Sequence, residues 1–516
     1  MSVGRWIRRA RDSQSLASIG WILVPVPFGL WPPLYLLFAN SREMNVTEII
    51  IPALICTLVA LAFSMVSRLA LREPRSAAIV ASVSTMVVLS AGSAVDVVGR
   101  DQLLAALGTR ATQVLFSPWV RLGLLAGLVV LVGLVCWWLV TRIRTVTIAA
   151  YVRAFSVILL FLSVLLTGWT MLAPWSGASN EGFPQPLEVN VRQEGLPDIY
   201  HIILDSYMGA AGMKRATGYD NSGFYAWLRS RGFYVADRSM SNYTSTTLSI
   251  ASTLNFMYLD ADTTGPSGSE PATGVTAPAV RSAPNPKMLS DLVMYNRAAA
   301  TLKRAGYTYI HFSSGYRGTT SAPYADQVIV TSLLDDVGMQ LAQASILRWL
   351  PESPGFAAFR QRVYGTFDGL EAVVDEPSPK YVFAHLVFPH QPYVVGADGS
   401  PIPNSVPSPV EAASYYAGQV QYANLRVKRL VDKILRESTR PVVILIHGDH
   451  GWTSEAGDRP SDILNAYYYP QGAPAALYDS ISPVNSYRVL FNEVLGTKLP
   501  LLPDRSQTEA SATAGQ

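Results

Sequence analysis

Val442-Val-Ile-Leu-Ile-His-Gly-Asp-His-Gly451 decides the reading of this chain: five branched apolar residues run into a cluster of ionisable groups and glycines. A continuous apolar run of this length is a strand buried on both faces, as in a parallel sheet covered by helices. Working outward, strands are expected at 199–204, 233–236, 307–312 and 381–386, and helices at 410–437 and 486–495. Such alternation predicts an α/β fold, a mostly parallel sheet flanked by helices. Ligands are then expected beyond the carboxyl ends of the strands.

The amino-terminal third reads differently. Five apolar stretches, near 16–39, 48–67, 76–95, 122–140 and 154–174, are long enough to cross a bilayer, which takes about 20 helical residues. Pro25, Pro27, Pro32 and Pro33 predict that the first is kinked or broken. No small-residue cleavage site with a polar mature start follows it, so it reads as a span and not a cleaved signal peptide. Arginines set the orientation: Arg5, Arg8, Arg9, Arg11, Arg68, Arg72, Arg75, Arg142, Arg144 and Arg153 flank one side, against Arg42, Arg100, Arg110 and Arg121 on the other. That bias places the N-terminus in the cytoplasm and everything after 175 outside.

The expected organisation is a transmembrane domain at 1–175, a linker at 176–196, an extracytoplasmic α/β domain at 197–504 and a disordered tail at 505–516. Residues 262–286, rich in Gly, Pro, Ser, Thr and Ala, read as a surface insertion. Of 516 residues 49% are hydrophobic and 15% charged, with a net charge of +3, and no basic block alternates with aromatics, which argues against a nucleic-acid partner. Both cysteines, Cys56 and Cys136, fall in the apolar third.

Three polar clusters carry the chemistry. Asp205 ends the strand Ile199-Tyr-His-Ile-Ile-Leu204, Asp449 and His450 follow the strand 442–446, and Asn242-Tyr-Thr-Ser-Thr-Thr-Leu-Ser-Ile-Ala-Ser-Thr-Leu-Asn255 runs from a hydroxyl-rich turn into a helix. Two carboxylates, an imidazole and a hydroxyl suit one divalent cation, Mn²⁺ or Zn²⁺. Such an ion lowers the pKa of a bound hydroxyl, and a helix N-terminus favours the resulting anion.

In this order the motifs resemble the alkaline-phosphatase/sulfatase superfamily, and within it the membrane-anchored branch of lipoteichoic-acid synthases and lipid A phosphoethanolamine transferases. That branch is also similar in having five spans before an extracytoplasmic sulfatase-like domain. Asp205, Thr246 with Ser249, and Asp449 with His450 match its pattern, and Thr244-Ser-Thr-Thr-Leu-Ser-Ile-Ala251 is similar to its Thr-Ser-Thr-Ala-x-Ser-Val-Pro, which selects Thr246 as nucleophile over Thr244 and Thr247. The resemblance implies that Asp205, Thr246, Asp449 and His450 hold the metal. His385-Leu-Val-Phe-Pro-His390-Gln-Pro392 is similar to a family pair of histidines five apart, whose second member holds phosphoryl oxygens or shuttles a proton. His390 takes that role, with His385 and Arg317 as weaker substrate-binding candidates.

The implied function is transfer of a phospho-alcohol group from a phospholipid donor to an envelope glycan or lipid acceptor through a phosphothreonine. Alternatives are a phosphodiesterase or phosphatase using water, and a catalytically silent membrane assembly or binding protein. The formylglycine signature Cys/Ser-x-Pro-x-Arg is replaced by Thr246-Thr-Leu-Ser-Ile250, which argues against sulfate-ester hydrolysis by that route. The cysteines and later histidine of the phosphoethanolamine enzymes have no counterpart, since His450 is the last histidine.

Overall fold

The computed structural model describes residues 20–39, 49–71, 73–93, 145–172, 184–189, 195–259, 286–332, 334, 336–350, 352–402, 409–452 and 461–506, with scattered positions between 120 and 138. The chain divides into two units, one of residues 1–176 with 336–357 and 403–406, the other of the remainder.

The first unit is built on apolar helices: α1 (Val26–Ala39), α2 (Ile50–Ala70), α3 (Pro74–Ser90) and α4 (Thr145–Leu172). Among the described residues three helices are long and apolar enough to span a membrane, Gly20–Ala39, Ile50–Ala70 and Val146–Gly168, and Pro74–Ser90 is a shorter apolar helix. The fourth expected span, 122–140, falls largely outside the described residues, so the expected count of five is not seen among them. The last span begins at Thr145 and not at 154, because apolar helix formers continue upstream. Arg153 therefore lies inside the helix, its guanidinium 5.4 Å from the Trp21 ring centre.

The proline-rich first span is broken at Leu23–Pro25, as its sequence predicts. The break frees the carbonyls of Ile22 and Val24, and two neighbouring helices restore their bonds: Ser64 Oγ donates to Ile22 O (2.8 Å) and Ser156 Oγ to Val24 O (2.7 Å). In a bilayer no water can do this. Residues 336–357, within the stretch read as soluble domain, group with these helices. Val337 packs with Leu37 and Ile49, and Trp349 Nε1 donates to Ala91 O. Gly92 is required here, since a Cβ would lie 2.1 Å from the Gln343 carbonyl.

The second unit is organised by a seven-stranded sheet of β1 (Asp198–Leu204), β2 (Tyr234–Val235), β3 (Thr308–Phe312), β4 (Gln327–Ile329), β5 (Lys380–Leu386), β6 (Val442–Gly448) and β7 (Asn465–Tyr468), in the order β2-β7-β6-β1-β5-β3-β4. The run from β6 to β4 is parallel, whereas β7 pairs antiparallel with both β6 and β2, so the sheet is mixed at one edge. Every residue of β1, β5 and β6 is buried, which explains why their sequences are mostly apolar on both faces. Ile199, Ile203, Phe383 and Leu445 on one face join a core with Ile250 and Leu254 of α5 (Thr246–Asn255) and with Tyr487 and Phe491. The helix α6 (Pro409–Glu437) buries Val420, Ala423, Val427, Leu430 and Ile434 at helical spacing, and α7 (Ser486–Leu495) supplies the tyrosine and phenylalanine of that core.

The stretch read as a linker is packed where it is described. Leu187 N donates to Thr301 Oγ1 and Arg297 Nε to Gln185 O. At the far end Arg505, the first residue of the expected tail, accepts from Asn242 Nδ2 at its carbonyl and donates through its N–H to Tyr258 Oη. The rest of the tail beyond 506, and most of the expected insertion 262–286, lie outside the described residues.

Four of the six histidines sit on β-strands and are buried: His201, His311, His385 and His447. Carbonyl partners settle three tautomers. His447 Nδ1 faces Gly448 O (2.9 Å), which can only accept, so its Nε2 takes the hydrogen of His201 Nε2 (2.8 Å), whose Nδ1 in turn accepts from Tyr487 Oη (2.8 Å). His311 Nε2 donates to Thr319 O (2.8 Å), leaving Nδ1 for Tyr309 Oη. Burial pushes His311 and His447 down to about 4, and it holds His201 well below its ordinary value with help from His447 and His385. These rings are neutral when folded but titrate near 6.5 when unfolded, so the unfolded chain binds more protons between the two values. The contribution of His311 and His447 is present above about pH 6.5 and is lost as pH falls towards 4, by up to about 1.4 kcal/mol per pH unit for each of the two, and His201 acts in the same direction. Fluorescence-detected melting of the detergent-solubilised full chain should show a falling Tm between pH 7 and pH 5; a flat Tm would contradict the buried neutral histidines.

Candidate active site

Parallel pairing brings the chemistry to one place. In register Leu204 of β1 lies between Leu386 of β5 and Gly448 of β6, so the residues that follow these three strands emerge side by side. Asp205 follows β1, Asp449 and His450 follow β6, and His390 lies four residues beyond β5. Gly448 permits the convergence: a Cβ there would lie 2.4 Å from the Tyr207 carbonyl, so only glycine lets the turn after β1 cross the end of β6.

Thr246 is the first residue of α5, and its Oγ1 lies 3.0 Å from His450 Nε2. His450 Nδ1 faces the Gly451 carbonyl at 2.8 Å and so carries a hydrogen, which in the neutral ring leaves the Nε2 lone pair directed at the site. That Nε2 is 3.4 Å from Asp449 Oδ2 and 3.7 Å from Asp205 Oδ1. Asp205, Asp449 and His450 present ligand atoms within 4.8 Å of one another, all buried. The sequence-selected quartet is therefore assembled.

The neighbouring hydroxyls behave differently. Ser249 Oγ turns back to donate to Tyr243 O (2.7 Å), and Thr247 Oγ1 is 2.7 Å from Tyr316 Oη. His385 is buried, with Nδ1 2.7 Å from Thr319 Oγ1 and Nε2 3.5 Å from Asp205 Oδ2. His390 lies at the edge of the site, its ring centre 6.4 Å from that of His450 and its backbone carbonyl held by Gln419 Nε2. Arg317 opens a short helical turn, Arg317–Thr320, and its side chain lies outside the described set.

Electrostatics suit the cluster to a cation. Burial alone would raise the Asp205 carboxyl, but the field of His390, the facing His385 imidazole and the field of His450 outweigh it and hold the group well below the usual carboxylate range. Asp449 Oδ1 accepts from Ser206 N and His450 N, both 2.9 Å, while buried Oδ2 has no hydrogen-bond partner. Two buried carboxylates, an imidazole lone pair and an unpartnered oxygen facing one another are costly unless a positive charge lies between them. The donor set fits a divalent metal ion of the Mn²⁺ or Zn²⁺ kind.

Ser206 is a site residue that sequence reading missed. It adopts a left-handed conformation, φ 63°, directly after Asp205. Its N–H donates to Asp449, its Oγ donates to Asp205 Oδ1 (3.0 Å), and its carbonyl accepts from Tyr416 Oη (2.6 Å) of α6. Tyr416 also accepts from Met208 N and stacks on Trp452 at 5.0 Å, so a helix residue 210 positions away fixes the turn that joins both carboxylates. No local signal marks this, because a left-handed residue is ordinarily glycine or asparagine.

No protein-family model and no curated protein matches the chain. Solved structures do. The C-terminal periplasmic domain of EcEptC from Escherichia coli aligns with a TM-score of 0.42 at 12% identity over 63% of this chain and 89% of that one, and it is also known in complex with Zn. The integral membrane protein lipooligosaccharide phosphoethanolamine transferase A from Neisseria meningitidis aligns over 92% of this chain and 95% of its own, with a TM-score of 0.39 and 12% identity. A protein of the alkaline phosphatase superfamily from Vibrio parahaemolyticus aligns over 59% and 67%, with a TM-score of 0.38 and 11% identity. The functional reading rests on the side chains of the site.

Ser206 yields a direct test. Ser206→Gly keeps the N–H on Asp449 and relieves the left-handed strain, so it should unfold in denaturant close to wild type. Ser206→Val puts a β-branched residue at φ 63° and should lose about 1 to 3 kcal/mol. Equal stability of the valine variant would show that the turn does not hold this conformation.

Proposed function

We propose that this protein is a membrane-bound, metal-dependent phosphotransferase that moves a phospho-alcohol group from a phospholipid to an extracytoplasmic glycan or lipid through a phosphothreonine. The observation that carries the reading is the Thr246 hydroxyl, 3.0 Å from His450 Nε2 at the first turn of a helix and beside the buried Asp205 and Asp449. Asp205, Asp449, His450 and Thr246 Oγ1 would hold the ion. A bound divalent ion supplies a positive field that lowers the pKa of the threonine hydroxyl.

The residues themselves divide the remaining work. Thr246 Oγ1 forms a bond to phosphorus as the bond from phosphorus to the lipid alcohol breaks, and the proton lost by Thr246 is balanced by the one the leaving alkoxide gains. His390, at the edge of the cluster, delivers that proton or holds the phosphoryl oxygens. In the second displacement an acceptor hydroxyl forms a bond to phosphorus as the bond from phosphorus to Thr246 Oγ1 breaks, and the proton the acceptor loses is balanced by the one Thr246 regains. Ser206 keeps the two carboxylates in register throughout.

The proposed topology has five spans, the N-terminus in the cytoplasm and the α/β domain outside. The arginine bias supports it. So does residue placement within the first unit: Val337 and Trp349, from a segment that interrupts the α/β domain in sequence, pack at Leu37, Ile49 and Ala91, the ends assigned to the outer side. A lipid donor in the same bilayer then lies within reach of an anchored enzyme.

Incubating the purified chain with phospholipid and no acceptor should leave a phospho-adduct on Thr246, read by peptide mass spectrometry. Thr246→Ala should lose the label and lose activity by at least about 10³-fold, within the range over which nucleophile removal acts. An adduct on Thr244 or Thr247, or full activity in Thr246→Ala, would overturn the assignment. Immediate release of the label to water without acceptor would make the protein a hydrolase.

A further inference from the structure

The mechanism leaves the turn after β3 unused, although it touches the site from two sides. Ser313 N donates to Ile329 O, which ties the turn to β4, and Gly315 adopts φ 75° with the Arg362 guanidinium lying where a Cβ would stand. Inside the turn Ser314 Oγ accepts from Tyr316 N (2.8 Å) and meets Thr319 Oγ1 at 2.7 Å. The Thr319 carbonyl is held by His311 Nε2. Thr319 is 1% exposed, so its place is fixed by packing and by these bonds.

From this anchored turn two side chains reach the chemistry. Thr319 Oγ1 lies 2.7 Å from His385 Nδ1, and the opposite nitrogen, Nε2, is buried, lacks a hydrogen-bond partner and stands 3.5 Å from Asp205 Oδ2. An ionised carboxylate only accepts, so the favourable tautomer carries its hydrogen on Nε2, and Nδ1 takes the Thr319 hydroxyl hydrogen. Tyr316 Oη lies 2.7 Å from Thr247 Oγ1, next to the nucleophile, and its ring meets His385 edge-on at 5.8 Å.

We propose that residues 313–320 form a brace that sets Asp205 and Thr246 relative to one another: Thr319 holds the His385 ring so that its Nε2–H faces Asp205, and Tyr316 steadies the start of α5 through Thr247. Thr319 and Tyr316 are positioning residues that act through His385 and Thr247. The inference rests on the metal-site reading above and goes beyond it by assigning work to a turn that bears none of the proposed ligands. Losing the Thr319 hydroxyl leaves His385 Nδ1 without that partner and frees the ring to turn its Nε2–H away from Asp205. Groups behind metal ligands commonly contribute about 10- to 100-fold in affinity or rate.

The test titrates Mn²⁺ or Zn²⁺ into the metal-stripped full chain in detergent against a chromophoric chelator, with lipid turnover measured in parallel. Thr319→Val should weaken metal binding about 10-fold or more and lower kcat with KM little changed, whereas Thr319→Ser, which restores the hydroxyl, should return both to within about threefold of wild type. Tyr316→Phe should slow labelling of Thr246 several-fold while metal affinity stays at the wild-type value. It also tests the brace should the valine variant not fold. Wild-type affinity and kcat in Thr319→Val, or wild-type labelling in Tyr316→Phe, would overturn the brace while leaving the metal site standing. A wild-type chain that binds neither ion would overturn the metal-site reading and the brace with it.

Discussion

Asp205 and Asp449 are each nearly inaccessible to solvent, and both turn towards the same few ångströms around His450. Charges of one sign in that setting repel strongly, and the domain tolerates them only because neighbouring groups offset the cost. Ser206 N–H and His450 N–H serve one oxygen of Asp449, Ser206 Oγ serves Asp205, and the histidines lend positive field. The oxygen left over on Asp449 is what makes the arrangement a place for a cation. Much of the second unit can be read as the frame that keeps these two carboxylates together: three adjacent parallel strands, a glycine at the one close crossing, and a tyrosine from α6 locking the turn.

That frame was legible in part. The strands β1, β5 and β6 are visible in sequence because central parallel strands are buried on both faces and need mostly apolar residues on both. Their parallel register then carries Asp205, Asp449 and His450 to one end of the sheet, so motif order alone was enough to nominate them. Two strands, β4 at one edge and β7 next to the other, were not legible. Gln327–Ile329 has three residues with little burial, and Asn465–Tyr468 mixes an asparagine with tyrosines, so neither has a strand signature, and the antiparallel pairing of β7 went unseen.

The residues that escaped sequence reading share a physical cause. Ser206 works through a backbone angle, Tyr416 through a contact 210 residues away, and Thr319 through the imidazole ring it holds; none of these leaves a local pattern. His385, a weaker candidate by sequence, lies within a strand, and its second nitrogen lacks a hydrogen-bond partner and faces the acid. In the membrane unit the prolines announced a broken span, but the serines that repair it, Ser64 and Ser156, are invisible until the helices are set side by side.

The central claim is that buried carboxylates and an imidazole at the ends of β1 and β6 hold one divalent ion. Elemental analysis of the purified full chain, together with Asp205→Asn and Asp449→Asn, tests it most directly. The account expects about one Mn²⁺ or Zn²⁺ per wild-type chain and a substantial loss in both variants, since each removes an anionic ligand from the same ion. Full metal occupancy in both variants, or none in the wild type supplied with either ion, would contradict it.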